Sequence, residues 1–192
     1  MKRKEVQISG FGGQGIILAG YILGKAAAIY DGQEATFTQS YGPESRGGAC
    51  SAQLVLADGP IHYPHLICPQ VLVAMSQEAC DRYLSFLGED GVLIVDEDLV
   101  APPEVPASVR VYRIPATRLA EEMGSVISAN IVMLGFLVGV TGVVSLAALR
   151  KAVETSVPKG TAEVNLRALD LGLAFAQRTV GAGVEASSSR GG

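Results

Sequence analysis

The alternation of apolar and polar positions predicts strands and helices that follow one another through the first half of the chain. Val6 and Ile8 alternate with polar neighbours, which is the period of a strand. After a glycine-rich segment, residues 16–30 are apolar on nearly all sides, as expected for a helix packed on a sheet. Ser76 is a candidate N-cap for a helix over residues 77–87. Further strands are predicted at residues 35–39, 49–57, 71–75, 92–95 and 109–114.

The second half of the chain is predicted to be helical, and the turn at Asp58-Gly59 is predicted to form a hairpin with a short segment at 61–63. The pattern predicts an α/β fold, a three-layer α/β/α domain with a mostly parallel mixed sheet and a Rossmann-like first β-loop-α unit. Residues 1–180 are expected to form this single domain and residues 181–192 a flexible Gly/Ser-rich tail. The helices after Pro115 are predicted at residues 116–123, 129–140, 146–154 and 162–179.

One stretch, from Val126 to Val144, is apolar enough to raise the question of a membrane span, which needs about 20 residues. Polar residues at its start and glycines within it favour a buried helix instead. Gly135 and Gly139 have the spacing that permits close helix packing, which we expect to be internal or between subunits. The basic N-terminus is not followed by the apolar region of an export signal. We therefore expect a cytoplasmic protein without a membrane span.

Composition and charge narrow the function classes. The chain has 192 residues and a net charge of -4, with Lys and Arg spread along it, which disfavours binding to nucleic acid. Cys50, Cys68 and Cys80 are too far apart for the spacings of zinc or iron–sulfur sites, so we expect reduced, mostly buried thiols. His62 and His65 flank a proline, which indicates turn residues rather than general bases. No metal ligand set and no catalytic residue is predicted in this chain.

The first candidate site is the glycine loop, residues 10–15, in which Gly10, Gly12 and Gly15 satisfy G-x-G-x-x-G between a strand and a helix. Such a loop brings backbone N–H groups at a helix N-terminus close to an anion, for example a phosphate. A nicotinamide or flavin site also needs an acidic residue at the end of the second strand, but Asp31 and Glu34 precede that strand. A glycine turn that serves only strand–helix packing is an open alternative.

The second candidate site is the second loop, residues 40–48, with the sequence Ser-Tyr-Gly-Pro-Glu-Ser-Arg-Gly-Gly. Pro43 sets a turn, Tyr41 offers a flat face and a hydroxyl, and Arg46 offers a planar fork for carboxylate or phosphate. A solvated loop with an internal pair between Glu44 and Arg46 is the alternative.

Together the two loops resemble the gamma subunit of the 2-oxoacid:ferredoxin oxidoreductases, or the equivalent third domain of single-chain pyruvate:ferredoxin oxidoreductases. Residues 10–15 match the G-x-G-G-Q-G loop of that family, and residues 40–48 match its S-Y-G-P-E-x-R-G-G loop. The form T-Q-S-Y-G-P-E, at residues 38–44, is similar to the 2-oxoglutarate branch. The resemblance covers about residues 3–175 and continues through segments 73–79, 130–135, 157–159 and 165–168.

This resemblance implies a part in a larger enzyme. Members decarboxylate a 2-oxoacid on thiamine diphosphate, pass electrons through iron–sulfur clusters to ferredoxin, and transfer the acyl group to coenzyme A. It implies that this chain alone binds no cofactor, and that thiamine diphosphate, Mg and the clusters lie on partner subunits. The implied partners are alpha and beta subunits, a delta subunit as a further candidate, and ferredoxin as acceptor.

Coenzyme A at the loop Gly10–Gly15 is the cofactor contact that the resemblance and the phosphate chemistry together suggest. Contact of the same loop with a partner subunit remains open, as do two other functions: a stand-alone dinucleotide-dependent oxidoreductase and a non-catalytic ligand-binding scaffold. The candidate cofactor-binding residues are Gly12, Gly13, Gln14, Gly15 and Arg46. The candidate interface or ligand-channel residues are Tyr41, Gly42, Pro43, Glu44 and Gly47.

Overall fold

The computed structural model describes residues 3–41 and 48–188, with 182–188 described as backbone only, and it contains one six-stranded mixed sheet. The strands are β1 (Arg3–Phe11), β2 (Glu34–Tyr41), β3 (Ala49–Ala57), β4 (Val71–Ala74), β5 (Val92–Asp96) and β6 (Arg110–Ile114). The helices are α1 (Ile16–Lys25), α2 (Gln77–Tyr83), α3 (Ala116–Glu122), α4 (Ala129–Thr141), α5 (Leu146–Glu154) and α6 (Ala162–Ser188).

The strand order is β2-β3-β1-β4-β5-β6. β1, β4, β5 and β6 pair in parallel, whereas β3 runs antiparallel between β1 and β2. The predicted α/β fold with a mostly parallel mixed sheet is therefore confirmed. The antiparallel hairpin consists of β2 and β3, and the second loop connects them.

The predicted hairpin at Asp58-Gly59 is wrong, because β3 has no free edge left for a following strand. Its last residue, Ala57, is already in register with Arg3 of β1 and with Glu34 of β2. Residues 58–70 instead cross to β4 without forming a strand.

Side chains of β1 hold this crossover. The Arg3 guanidinium donates to the carbonyls of Tyr63 and His65 at 2.9 and 2.8 Å. The buried Glu5 carboxylate accepts from the N–H groups of Ile67 and Cys68 at 2.7 and 2.8 Å. Both histidines of the crossover, including His65, are exposed.

Helices cover the sheet unequally. Residues of α1, α3, α4, α5 and α6 form one large core on one face, and α2 packs against β4 and β5 on the other face. Ser76 caps α2 as predicted, since its hydroxyl accepts from the Ala79 N–H at 3.3 Å. The three-layer arrangement therefore has a thick helical layer and a thin one.

The apolar run is a core helix, α4, and no helix among the described residues is long and apolar enough to cross a membrane. A Cβ atom at Gly135 would collide with the Leu169 carbonyl of α6, and one at Gly139 would collide with the Ala176 side chain. The expected close packing at these glycines is thus internal and confirmed.

Helix α6 is longer than the pattern indicated. It continues to Ser188, past the predicted end at Thr179, and residues 180–188 contain no proline that would end a helix. The division into a domain at residues 1–180 and a flexible tail at 181–192 stays a prediction.

Candidate functional site

The fold brings the two ends of the second loop, at Tyr41 and Gly48, to the glycine loop at one end of the sheet. Phe11, at the end of β1, is in register with Ala49, and Cys50 is in register with both Gly10 and Tyr41. The segment that connects β2 and β3 therefore begins and ends beside the glycine loop. The loops also touch directly, since the Gly12 N–H donates to the Gly48 carbonyl at 3.4 Å.

The glycine loop makes the tight turn that its sequence predicts. Gly13 and Gly15 have φ values of 101° and 72°, a left-handed conformation that favours glycine. Gly15 is the N-cap of α1, which begins at Ile16. Gly12 and Gly13 are exposed, so the turn presents backbone rather than side chains to solvent.

The start of α1 has the electrostatics of an anion site. No residue in ranges 3–41 and 48–188 accepts from the N–H groups of Gly13, Gly15 or Ile16. The first turn of α1 contains no acidic residue that would repel an anion. These N–H groups, together with the partial positive charge of a helix N-terminus, can bind a phosphate or carboxylate.

The Gln14 side chain braces the loop and faces inward. Its Nε2 donates to the Met75 carbonyl at 2.8 Å, and its Oε1 accepts from the Phe11 N–H at 2.7 Å. A Cβ atom at Gly10 would collide with this Oε1, so glycine at position 10 makes room for the brace. The amide thus joins the ends of β1 and β4, and the Gln14 backbone N–H also stays within the turn, donating to the Phe11 carbonyl at 3.2 Å.

Asn130 is a site residue to which the sequence pattern alone assigned no role. It lies at the start of α4, 3% exposed, and its Nδ2 donates to the Gly15 carbonyl at 3.0 Å. One signal could have identified it, because it is the only polar side chain in the run 129–140. A buried amide in an apolar helix requires a hydrogen-bond partner, and here that partner is the glycine loop.

A cleft of about 390 Å³ opens beside the loop. Gly13, Gln14 and Met75 line one side, and apolar side chains that include Val126 and Ile127 line the other. Val126 is 56% exposed and Ile127 85% exposed, which is unusual for large apolar side chains. The arrangement can hold a ligand with an anionic group at the helix N-terminus and a less polar part along the cleft.

The second loop is described only at its ends. Tyr41 is exposed, and its hydroxyl donates to Gln39 Oε1 at 3.3 Å. Gly48 contacts the glycine loop as given above. The remaining residues assigned to the site lie outside the described residues, and their roles stay predictions: Gly42, Pro43, Glu44, Arg46 and Gly47.

The topology argues against a dinucleotide site. In such a site the acidic residue that holds the ribose ends the strand next to β1. Here β3 takes that place, and the end of β2 is two strand spacings, about 10 Å, away. Asp31, which precedes β2, instead accepts from the N–H and hydroxyl of Ser145, both at 2.6 Å.

The thiols are protected rather than activated. Cys50 and Cys80 are buried, and burial raises the pKa of both thiols, whereas Cys68 is exposed. Across the part of the chain that the structure describes, no cluster of three or more His, Cys, Asp or Glu residues could hold a metal ion.

Comparisons with known proteins identify relatives along most of the chain. A 2-oxoglutarate synthase subunit KorC from Methanocaldococcus jannaschii is 54% identical over 177 residues, 91% of this chain and 95% of the relative. The solved gamma subunit of a keto/oxoacid ferredoxin oxidoreductase from Geobacter sulfurreducens PCA has a TM-score of 0.81 at 44% identity. That match covers 91% of this chain and 99% of the other.

A second solved structure places the same fold within a longer chain. It is the 2-oxoglutarate:ferredoxin oxidoreductase from Magnetococcus marinus, solved with 2-oxoglutarate, coenzyme A and succinyl-CoA bound. It matches with a TM-score of 0.83 at 26% identity over 93% of this chain, but over only 32% of its own chain. The sequence model of the pyruvate ferredoxin/flavodoxin oxidoreductase family matches residues 5–175. This chain therefore belongs to the pyruvate ferredoxin/flavodoxin oxidoreductase family.

Proposed function

We propose that the chain is the gamma subunit of a 2-oxoglutarate:ferredoxin oxidoreductase. The assembled enzyme decarboxylates 2-oxoglutarate oxidatively, forms succinyl-CoA and CO2, and reduces ferredoxin. The observation that carries the proposal is the 54% identity to a 2-oxoglutarate synthase subunit over nearly the whole length of both chains. The described ends of the second loop also lie beside the glycine loop in this fold.

Identity levels favour 2-oxoglutarate over other 2-oxoacids. Three relatives named 2-oxoglutarate synthase subunit KorC are 51–54% identical to this chain, and a fourth with that name, from Archaeoglobus fulgidus, is 31% identical. Relatives named for ketoisovalerate or pyruvate are 31–33% identical. The T-Q-S-Y-G-P-E form of the second loop supports the same assignment.

The proposed subunit completes an enzyme whose redox chemistry lies elsewhere. We place thiamine diphosphate, Mg and the iron–sulfur clusters on alpha, beta and delta partners, with ferredoxin as acceptor and the cytoplasm as location. Two relatives with longer chains support a modular assembly. The matched region is 32% of the Magnetococcus chain and 37% of a ketoisovalerate oxidoreductase subunit VorA.

The proposed ligand of the glycine loop is the pyrophosphate of coenzyme A. The N–H groups of Gly13, Gly15 and Ile16 supply donors at the start of α1, and Gln14 holds the turn in place. Arg46 of the adjacent second loop is the proposed cation for a second phosphate. The cleft next to Ile127 would take the less polar part of the ligand.

We assign partner contacts to the same end of the molecule. Tyr41 and Phe11 are exposed aromatic residues beside the second loop, and Val126 and Ile127 are exposed beside the cleft. Large apolar side chains grouped around a site are typical of surfaces that a partner protein covers. Docking there would close the ligand channel from outside.

Reconstitution tests this function. The chain is co-expressed with its partner subunits, and ferredoxin reduction is measured with coenzyme A and either 2-oxoglutarate or pyruvate. We expect reduction that requires both this chain and coenzyme A and that is faster with 2-oxoglutarate. A faster rate with pyruvate would overturn the substrate assignment, and full activity without this chain would overturn its role as a subunit.

A further inference from the structure

We infer that Asn130 is a positioning residue that holds the glycine loop in its anion-binding conformation. The inference rests on the proposed coenzyme A site. It attributes part of that site's affinity for coenzyme A to a residue that is remote from the loop in sequence. Asn130 lies on α4, 115 positions from the carbonyl that it binds.

The Asn130 amide is a polar group in an otherwise apolar part of α4, and it also lines a cavity of about 420 Å³. Its neighbours along α4 are apolar and buried, and burying an amide is costly unless it forms hydrogen bonds. Its Nδ2 donates to the Gly15 carbonyl at 3.0 Å, and the same carbonyl accepts the Ala19 N–H at 2.9 Å. Two donors from different helices therefore fix the direction of one carbonyl.

That carbonyl also sets the direction of a backbone donor at the start of α1, the Ile16 N–H. The Gly15 C=O and the Ile16 N–H belong to one planar trans peptide, so they point in opposite directions. With the carbonyl held along α1 toward Ala19, the Ile16 N–H points out of the helix N-terminus. Asn130 thus orients a donor that it does not touch.

Loop and amide also fit each other sterically. A Cβ atom at Gly15 would collide with the Asn130 side-chain amide, and Gly15 has the positive φ of 72° that favours glycine. On the opposite side, Gln14 ties the turn to Met75. Two side-chain amides therefore hold the turn that contains the exposed Gly13. Asn130 on α4 binds the Gly15 carbonyl, and Gln14 binds the carbonyl of Met75, just after β4. A loop held in this way loses less conformational freedom when a ligand binds.

The test is saturation kinetics of the assembled enzyme with three variants. Asn130→Ala removes the amide, and Asn130→Asp keeps its size but removes the donor. Asn165→Ala is the matched control, because Asn165 lines the same cavity of about 420 Å³ as Asn130 but donates to Thr161, not to the loop.

We expect both Asn130 variants to raise the KM for coenzyme A about three- to tenfold, the range for one lost hydrogen bond. The kcat and the KM for 2-oxoglutarate should stay at the parent values, and the control should match the parent throughout. A purely structural role would instead lower the yield of assembled enzyme and its melting temperature without changing the KM for coenzyme A. That result, or failure of both variants to assemble, would overturn the inference.

A fourth variant separates this inference from the proposed function. Gly13→Val alters the loop itself without touching Asn130. If Gly13→Val leaves the KM for coenzyme A unchanged, the coenzyme A assignment is wrong. If Gly13→Val raises that KM but both Asn130 variants do not, the site is correct and the positioning role is wrong.

Discussion

Two regions of this molecule require glycine for different physical reasons. In the α4–α6 contact, Gly135 and Gly172 lie where an added Cβ atom would collide with backbone of the facing helix. In the glycine loop, Gly13 has open space around its would-be Cβ but a φ of 101°. The first group is required by close packing and the second by backbone conformation. Substitution should therefore damage stability in the helix pair and ligand binding in the loop.

The largest effect on stability is expected from Gly172→Ala. The new methyl group would collide with the Val132 carbonyl, and overpacking of this kind costs about 3 kcal/mol. The melting temperature should fall by about 6–12 °C in a chain of this size. Gly181→Ala in the same helix is the control, because its Cβ meets nothing and should stabilise slightly. Equal melting temperatures for Gly172→Ala and the parent would show that close helix packing does not require glycine at position 172.

Gly13→Val tests the other side of the comparison. The left-handed backbone costs a valine about 1–3 kcal/mol, which the rest of the fold can tolerate, but the loop would no longer approach an anion. We expect at least about a tenfold rise in the KM for coenzyme A. Gly32→Val is the matched control, since Gly32 has a φ of 65°, open space and no contact with the site. A similar rise in the KM for coenzyme A in Gly32→Val would show that backbone strain alone, rather than loss of the anion site, causes the effect of Gly13→Val.

Gln14→Ala should produce a smaller, mixed effect. The change leaves the Phe11 N–H and the Met75 carbonyl without their side-chain partner, although water can reach this half-buried position. We expect a loss of about 1 kcal/mol in denaturant unfolding and a rise in the KM for coenzyme A smaller than that of Gly13→Val. A loss of stability with an unchanged KM would show that the brace serves the sheet and not the loop.

Thiol labelling should give the smallest effect and report where the fold opens. Because burial raises the pKa of Cys50 and Cys80, we expect Cys68 to react first at pH 8. Thiols with a raised folded pKa stabilise the fold below the unfolded pKa, and this contribution is lost as pH rises through the folded pKa. Stability should therefore decline at alkaline pH, as measured by urea unfolding at several pH values. Fast labelling of native Cys80 would contradict its protected state.

Strands and helices were predicted correctly where the residues that determine them lie within the element itself. The strand at Ala49–Ala57 and the helix at Leu146–Glu154 have the predicted bounds. Ser76 was identified as a cap because the capping geometry involves only the next three residues. These features depend only on residues that are close together in the sequence, so the sequence alone is enough to predict them.

Features that depend on distant residues could not be predicted in the same way. Asp58-Gly59 is a good turn sequence, but whether a hairpin follows depends on a free sheet edge, and both edges of β3 are occupied. The partner of Asn130 lies 115 positions away, so its polarity was visible but its purpose was not. Gln14 belongs to a motif that suggests a ligand contact, yet its side chain turns toward Met75.

The placement of β3 has a consequence for the order in which the protein is made. In an ordinary β-α-β unit the two strands pair as soon as both have left the ribosome. Here β1 and β2 are separated by a strand that is synthesised after both, so neither has a neighbouring strand until β3, which begins at Ala49, emerges. We therefore expect β1 and β2 to join one sheet only when β3 pairs with both of them.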